Sequence, residues 1–336
     1  MLNAGPMSEL VESPSPNLPQ SQSPFKVLAL YKFAELKDCA ELKQPLAQFC
    51  CARKIRGSLI LAPEGINGTV AGTPAAIDQL MAWFATEPLW RGRLAGAEAK
   101  VSTAGSMPFL RMKVRLKPEI VTLRAPEADP SQQVGTYVEA ADWNALIAAE
   151  DVTLIDTRNG YEAQLGTFSG AIDPRTQSFT EFKDYVAREL DPARHKKVAM
   201  FCTGGIRCEK ASSYLLSQGF AEVFHLKGGI LKYLEAVPAT ESRFEGECFV
   251  FDERVSVIHG LHEGEAILCR GCRNPVLPAD AVGNLCRDCA ATAPAGAAER
   301  ERQMDLARAR GEAHMGDDAI TVAARNRAMK RRRRGA

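Results

Sequence analysis

The stretch 198–210, VAMFCTGGIRCEK, constrains this chain more than any other. It consists of a short apolar strand, a cysteine, two glycines, an arginine and a helical run. A strand that feeds a glycine-rich turn at the start of a helix directs several backbone N–H groups at one point. N–H donors, a helix dipole and a nearby guanidinium all lower the pKa of a cysteine placed there. The sequence therefore predicts that Cys202 is a thiolate near neutral pH, with Arg207 as its cation.

The spacing within this loop narrows the chemistry. Arg207 lies five positions after Cys202, whereas cysteine phosphatases of related architecture carry one more residue, which widens the ring for a phosphate. The tighter ring suits one extra sulfur, or another small group, on the cysteine. Both glycines are expected to supply positive φ angles that a Cβ would block. The alternative, a buried cysteine on an ordinary turn, leaves the arginine and the paired glycines unexplained. The ring is expected to be the backbone of Thr203, Gly204, Gly205 and Ile206.

Composition and charge limit the classes of protein that the chain can belong to. Lys and Arg total 42 and Asp and Glu total 41, so attraction to nucleic acid must come from local patches. No apolar run approaches the roughly 20 residues of a membrane helix, and the start of the chain lacks the order of a signal peptide. Several of the ten cysteines have catalytic or metal-type spacing. We therefore expect a cytoplasmic, reduced protein that has no membrane partner.

The first part of the chain predicts a ferredoxin-like α+β domain over residues 25–122, after a disordered Pro/Ser-rich leader at 1–24. Apolar strands alternate with helical runs in the order β-α-β-β-α-β. Asn67-Gly68 marks a tight turn, and Thr73-Pro74 starts the second helix. Pro45 is expected to interrupt the first helix. Glu64 and Asn67 are expected to shape their loop, and contact with a substrate there stays open.

A second feature of this domain is the run RMKVRLK at 111–117. With the period of two that a strand imposes, its cations share one face, and Met112, Val114 and Leu116 face the core. Like charges in a row are unfavourable for an isolated sheet, so an anion such as RNA phosphate is expected to lie across them. The alternative is a solvated face with carboxylates nearby. The candidate nucleic-acid contacts are Arg111, Lys113, Arg115 and Lys117.

A polar, proline-bearing linker is expected at 123–137, followed by a second domain at 138–240. Strands and helices alternate there, which predicts a parallel sheet covered by helices on both faces. Catalytic turns in such α/β sheets lie at the carboxyl ends of strands, where Cys202 falls.

This second domain resembles the rhodanese family. The matching pieces are LIDTRNGYEAQLGTFSGAI, FCTGGIRC and HLKGGI. The resemblance implies that Cys202 holds a persulfide or another modified sulfur. One departure is visible, because many rhodaneses carry Gly-His where this chain has Gly166-Thr167.

The whole architecture resembles a narrower group, the bacterial rhodanese-family tRNA uridine hydroxylases. LAPEGINGTVAG, PFLRMKVRLKPEIVTL, FCTGGIRCEKAS and HLKGGILKYLE carry this resemblance across about residues 25–289. It implies oxygen-dependent hydroxylation at C5 of the wobble uridine, with dioxygen as co-substrate and the tRNA anticodon arm as partner. No flavin or nucleotide motif is evident. The alternatives are a sulfurtransferase carrying a persulfide on Cys202, and an RNA-binding module with a vestigial rhodanese domain.

The segment 241–292 contains two C-x2-C pairs separated by thirteen residues. This is zinc-ribbon spacing, in which four thiolates close a tetrahedral site and leave no open position for catalysis. A structural zinc is therefore expected, with iron–sulfur ligation or four free thiols as alternatives. Residues 293–336 are expected to be a basic, mobile tail, and the five consecutive cations near its end would give non-specific affinity for RNA. The predicted metal ligands are Cys269, Cys272, Cys286 and Cys289.

Other residues near the cysteine loop are weaker candidates. Cys208, one turn into the helix, is either a resolving thiol for an oxidised Cys202 or a buried packing residue, and packing is favoured. Asp156 and Arg158 end a strand of the same sheet, and a structural role is favoured over orienting the loop. His225 is expected to be a core histidine. Three cysteines near the first helix are expected to be small packing residues: Cys39, Cys50 and Cys51.

Overall fold

The computed structural model describes residues 24–292 and residue 302. The predicted leader, apart from Pro24, and the predicted basic tail, apart from Arg302, lie outside the described residues. No helix within the described part of the chain is long and apolar enough to cross a bilayer.

The first unit is a five-stranded sheet with two helices packed on it. It contains β1 (Phe25–Phe33), α1 (Cys39–Ala52), β2 (Arg56–Ala62), β3 (Gly65–Gly72), α2 (Pro74–Thr86), β4 (Glu98–Ala104) and β5 (Met112–Leu116). The strand order is β4-β1-β3-β2-β5, antiparallel except between β2 and β5. The first six elements confirm the predicted β-α-β-β-α-β order, and β5 is added at the edge beside β2.

Local sequence explains the start of the second helix of this unit, whereas packing explains the first helix. Thr73 accepts a hydrogen bond from the Ala76 amide at 3.3 Å, and Pro74 occupies the first turn of α2. The prediction that Pro45 interrupts the first helix is wrong, because α1 runs through it. Leu42 and Leu46, on either side of that proline, are fully buried in the core, so packing holds the helix together despite the lost hydrogen bond.

The basic edge strand β5 follows the predicted alternation only in part. Met112 and Val114 are buried, as predicted. Leu116 was expected in the core and is instead 42% exposed, because it is the last residue of an edge strand. Burial lowers the pKa of Lys113. The positive charges of Arg111 and Arg115 lower it further, as expected for cations on one face of a strand.

The second unit is a parallel sheet with helices on both faces. It contains β6 (Thr136–Val138), α3 (Ala140–Ile147), β7 (Val152–Asp156), α4 (Gly160–Ala163), β8 (Gly166–Phe168), α5 (Phe182–Glu189), β9 (Lys197–Phe201), α6 (Ile206–Ser217), β10 (Glu222–Leu226) and α7 (Gly229–Ala236). Four strands form the sheet in the order β6-β10-β9-β7. One apolar core packs beneath α5 and α6, and a second beneath α3 and α7. The predicted doubly covered parallel sheet is confirmed.

The segment 123–137, expected to be a polar linker, differs from that prediction. Leu123, Ala125 and Ala128 are buried in the core beneath α5 and α6, and the last residues of the segment begin β6. Small apolar side chains placed between the polar ones allow the segment to lie against the second unit.

The C-terminal part contains β11 (Phe244–Gly246), β12 (Cys248–Phe249), β13 (Ser256–Val257), β14 (Ile267–Leu268), β15 (Pro275–Val276), β16 (Ala281–Val282), β17 (Leu285–Cys286) and α8 (Arg287–Thr292). β12 and β13 pair as an antiparallel hairpin. β11 instead pairs with β8, and Phe244 and Cys248 join the core around Trp143. The segment is therefore partly built into the second unit, and its four remaining strands form two small hairpins around the paired cysteines.

Candidate active site

The cysteine loop connects the end of β9 to the start of α6. The apolar run 198–201 is buried in the middle of the parallel sheet, so Cys202 follows at the carboxyl edge of a central strand. The helix begins at Ile206, directly after Gly205. Gly205 has φ +101°, and a Cβ there would meet the Tyr31 hydroxyl at 2.9 Å. The same expectation for Gly204 is wrong, because its φ is not positive and a Cβ there would meet no atom within 4 Å.

The environment of Cys202 favours its thiolate. Burial opposes ionisation, but a hydrogen bond with the Cys208 thiol, the Arg207 charge and the Cys208 and Gly205 amides outweigh it and lower the pKa to about 5. The Gly205 N–H lies 3.1 Å from Sγ. Cys202 is fully buried and lines a cavity.

Arg207 acts on this sulfur through its charge while its N–H groups bind elsewhere. Its Nη1 and Nη2 donate to the two carboxylate oxygens of Glu162 at 2.7 and 2.8 Å. Glu162 is fully buried, and this pairing keeps the pKa of its carboxyl below the ordinary value although burial would raise it. The pair fixes the guanidinium plane beside the loop.

Cys208 lies directly behind Cys202 and is also fully buried. Burial, the hydrogen bond to Cys202 and the Cys202 charge raise its pKa well above the ordinary value, so it is the protonated member of the pair. Its sulfur lies 3.5 Å from the Thr157 hydroxyl. The packing role favoured from the sequence fits this position, and Cys208 also serves as a hydrogen-bond donor to the thiolate.

The loop faces a partly open cavity of about 290 Å³. The first unit contributes Tyr31 from β1, Asn67 from β3 and Lys100 from β4, and the C-terminal part contributes Arg254. The Tyr31 hydroxyl donates to Glu209 on α6 at 2.7 Å, across the boundary between the two units. The three cavity residues from the first unit each lie more than 100 positions before Cys202 in the sequence.

The four cations predicted to contact nucleic acid lie on or beside β5, apart from this cavity. Arg111 and Lys113 line a separate groove of about 870 Å³. The opposite side of that groove carries Arg270 and Arg273, next to the paired cysteines. Arg115 and Lys117 are exposed beyond it.

The four predicted metal ligands come together in space. The sulfurs of Cys269, Cys272, Cys286 and Cys289 all lie within 4.8 Å of one another, and Cys272 Sγ is 3.9 Å from Cys286 Sγ. Zinc–thiolate bonds of about 2.3 Å in a tetrahedron place sulfurs roughly 3.8 Å apart. Amide hydrogen bonds outweigh burial and lower the pKa of Cys269 to about 6, which also favours a thiolate there. The donor set and its spacing therefore fit a tetrahedral thiolate-bound metal.

The weaker candidates take structural positions. Arg158 is fully buried, and its Nε and Nη2 donate to the Asp156 carboxylate at 2.9 and 2.6 Å. His225 is fully buried and lies 3.2 Å from the Gly135 carbonyl, with its pKa lowered by burial to about 4. Cys39 and Cys50 are buried in the core of the first unit, and Cys51 packs against it.

The loop after β2 shapes the boundary between the units. The Glu64 carboxylate accepts from Lys210 Nζ at 2.9 Å and from the Ile120 amide at 2.6 Å. The Asn67 amide donates to the Ile120 carbonyl at 2.9 Å, and Asn67 also lines the cavity.

Sequence reasoning missed several residues of the site. Glu162 had a visible signal: Asn159 and Glu162 form a capping box at the start of α4, which is the N-x-x-E pattern of a helix start. Tyr31, Lys100 and Glu209 had no local signal, because each becomes part of the site only when the two units pack together.

The fold and the cysteine loop define this protein as a rhodanese-type α/β protein with a preceding acylphosphatase-like unit. Residues 25–120 match the family described as the UPF0176 acylphosphatase like domain, and residues 139–236 match the rhodanese-like domain. The chain is 61% identical over 238 residues to the tRNA uridine(34) hydroxylase of Bradyrhizobium diazoefficiens, a match that covers 71% of this chain and 93% of that protein.

Two further relatives cover more of the chain. The tRNA uridine(34) hydroxylase of Sinorhizobium fredii is 50% identical over 92% of this chain and all of that protein. That of Teredinibacter turnerae is 52% identical over 88% of this chain and 94% of its own length. The chain therefore belongs to the tRNA uridine(34) hydroxylase family.

Proposed function

We propose that this protein hydroxylates C5 of the uridine at position 34 of tRNA, giving 5-hydroxyuridine, with Cys202 as the reacting sulfur and dioxygen as co-substrate. The observation that carries the proposal is the Cys202 thiolate at the bottom of the cavity between the two units. The names of its relatives supply the reaction. The cavity volume of about 290 Å³ is at the small end of ligand sites and suits a single base.

An anticodon base is accessible to such a cavity. Bases in a single-stranded loop are splayed out or flipped at little cost and then read at their edges. The tRNA would lie outside, with its phosphates on the cations of β5, while only the uracil enters. The cysteine then has two chemical routes: addition to C6 of the uracil, which makes C5 nucleophilic, or delivery of an atom carried on an oxidised or persulfidated sulfur.

The four paired cysteines supply a structural element in this proposal. They would hold one zinc ion, which ties the two small hairpins of the C-terminal part together. With four protein ligands the site has no open position, so the uracil chemistry is assigned to the cavity at Cys202 and not to the metal. A cytoplasmic, reducing compartment fits ten free thiols.

The deciding experiment is nucleoside mass spectrometry of tRNA from a deletion strain that carries the wild-type gene or Cys202→Ser. We expect 5-hydroxyuridine with the wild-type gene and none with Cys202→Ser, while the purified variant still binds tRNA. Oxygen addition and sulfur-for-oxygen exchange have the same nominal mass, so accurate mass and co-elution with a 5-hydroxyuridine standard are required. A thiolated nucleoside instead would support the sulfurtransferase function, which the amide-lined sulfur of Cys202 also suits.

The oxygen source is tested separately with purified enzyme under ¹⁸O₂. The proposal predicts ¹⁸O in the product uridine. Incorporation of oxygen from water, or full activity without dioxygen, would reject the oxygen-dependent reaction while leaving tRNA hydroxylation in place.

A further inference from the structure

The wall of the cavity at Cys202 includes a lysine from the first unit. Lys100 lies on β4 of the first unit, and its side chain is only 8% exposed. It lines the cavity together with Cys202 and also lies 5.2 Å from the centre of the Tyr31 ring. A buried ammonium in a cavity that also holds a thiolate is costly unless it has a partner or a task.

The other two cations of the cavity wall are already held by carboxylates. Arg207 is bound bidentately by Glu162 at 2.7 and 2.8 Å. Arg254 is bound by Asp252 at 2.9 and 2.7 Å and donates to the Ser102 hydroxyl at 2.8 Å.

Lys100 is held much more loosely than these two arginines. Its Nζ lies 3.6 Å from Glu98 Oε2, which is longer than any of the carboxylate contacts that hold the two arginines, and 5.2 Å from the centre of the Tyr31 ring. Of the three cations in the described cavity wall, it therefore has the most N–H capacity left for a bound molecule.

Lys100 is also tied spatially to the cysteine loop. Its Cε lies 3.3 Å from where a Cβ on Gly228 would stand. The next residue, Gly229, has φ +67° and packs so closely that a Cβ there would lie 2.5 Å from the Cys202 carbonyl oxygen. Lys100 therefore packs against Gly228, and the neighbouring Gly229 packs against the Cys202 backbone. Burial lowers the pKa of Lys100, and the charges of Glu98 and Cys202 oppose that change without cancelling it.

We propose that Lys100 is a catalytic residue of the first unit, whose ammonium binds the uracil O4 atom as the Cys202 thiolate adds to C6. This proposal rests on the proposed tRNA uridine hydroxylation. A bond forms between sulfur and C6, the C5–C6 π bond breaks, and its electron pair moves through C4 onto O4 as an enolate. The Lys100 N–H groups meet that negative charge, which is greater after addition than before it. Addition needs no oxidant, and reversal of the step restores the thiolate and the uracil.

The step has a signature that hydroxylation does not share. While the adduct exists, C5 accepts a proton from solvent, and reversal then expels one of the two C5 hydrogens. Deuterium at C5 is therefore washed out even without oxygen. The probe is an unmodified tRNA transcript with uridine at position 34, made with [5-²H]uridine and incubated with the full-length enzyme under anaerobic conditions.

Three variants test the lysine. Lys100→Met keeps the length of the side chain and removes the charge, Lys100→Arg keeps the charge, and Lys197→Met is the matched control. Lys197 lies at the opposite, amino end of β9 and pairs with Asp151 at the surface. Removal of one charge-stabilising donor costs on the order of 100-fold in turnover. We therefore expect Lys100→Met to lower both anaerobic exchange and aerobic kcat by about that factor.

The remaining results separate this role from a structural one. Lys100→Met is expected to bind the transcript and to melt like the wild type, and Lys100→Arg is expected to recover part of the exchange. Wild-type exchange in Lys100→Met overturns the role of the lysine, and absence of exchange in an active wild-type enzyme overturns the adduct. Both results leave hydroxylation itself intact. The proposed function itself is tested with unmodified tRNA isolated from the deletion strain. If the wild-type enzyme does not hydroxylate that tRNA, the proposed function is rejected.

Discussion

Lys210 is the buried cation that joins the first unit to the helix carrying the cysteine loop, and its removal gives a sharp prediction. Its side chain is 2% exposed, and Nζ donates to Glu64 at 2.9 Å, to Glu119 at 2.6 Å and to the Val121 carbonyl at 3.0 Å. Lys210→Met keeps most of the volume and leaves two carboxylates facing each other without a cation.

The magnitude follows from burial. Breaking a buried ion pair by removing one partner costs about 3–5 kcal/mol. The Glu64 and Glu119 side chains are 27% and 20% exposed, so water recovers part of the loss and the lower end applies. An unfolding entropy of about 2.1 cal/mol/K per residue is roughly 0.7 kcal/mol/K for 336 residues, so a loss of about 3 kcal/mol lowers Tm by roughly 4 °C.

The assay is thermal unfolding of Lys210→Met beside a matched control, Lys232→Met. Lys232 pairs with Glu235 at 2.8 Å, but both side chains are about half exposed, and such surface pairs contribute less than about 1 kcal/mol. The control is expected to melt within about 2 °C of the wild type. Equal melting of both variants would refute the argument that Lys210 holds the units together.

Three further predictions concern separate parts of the molecule. Glu162→Gln removes the buried carboxylate that pairs with Arg207. Because the pKa of Glu162 is lowered in the folded protein, the wild type loses stability as pH falls through that lowered pKa. In thermal melts the variant is expected to be less stable than the wild type near neutral pH and to lack this loss of stability in acid. Cys272→Ser is expected to release zinc in a metal assay and to expose the C-terminal hairpins to protease; an unchanged metal content would remove the proposed site. Arg115→Gln is expected to weaken tRNA binding and to reduce the slope of log K against log salt by about 1 in filter-binding titrations, whereas an unchanged slope would place the phosphates elsewhere.

The fold was largely predictable because its signals are local. Apolar runs of strand length, the cap at Thr73 and the glycine-rich turn after β9 each specify their element within a few residues. The parallel sheet followed from the alternation of strands and helices. The prediction that Leu116 is buried was wrong, because alternation shows which face of a strand a residue lies on but not how far the packed core extends along that face.

The candidate site was predictable only on the side that one short stretch encodes. Cys202 and Arg207 are five residues apart, so spacing alone places them together. Tyr31 and Lys100 reach the same cavity from two strands of the other unit, and no periodicity within either strand predicts that contact. Gly204 shows the converse error, since pairing two glycines in a motif does not mean that both need a positive φ.

The titration of Cys202 is the most direct test of the proposed thiolate. The thiolate absorbs in the ultraviolet, so the difference between wild-type and Cys202→Ser absorbance across pH isolates this sulfur from the other nine cysteines. We expect a midpoint at about pH 5. A midpoint near the ordinary cysteine value of about 8.5 would contradict it, because the loop would then hold a neutral thiol at the pH of the reaction.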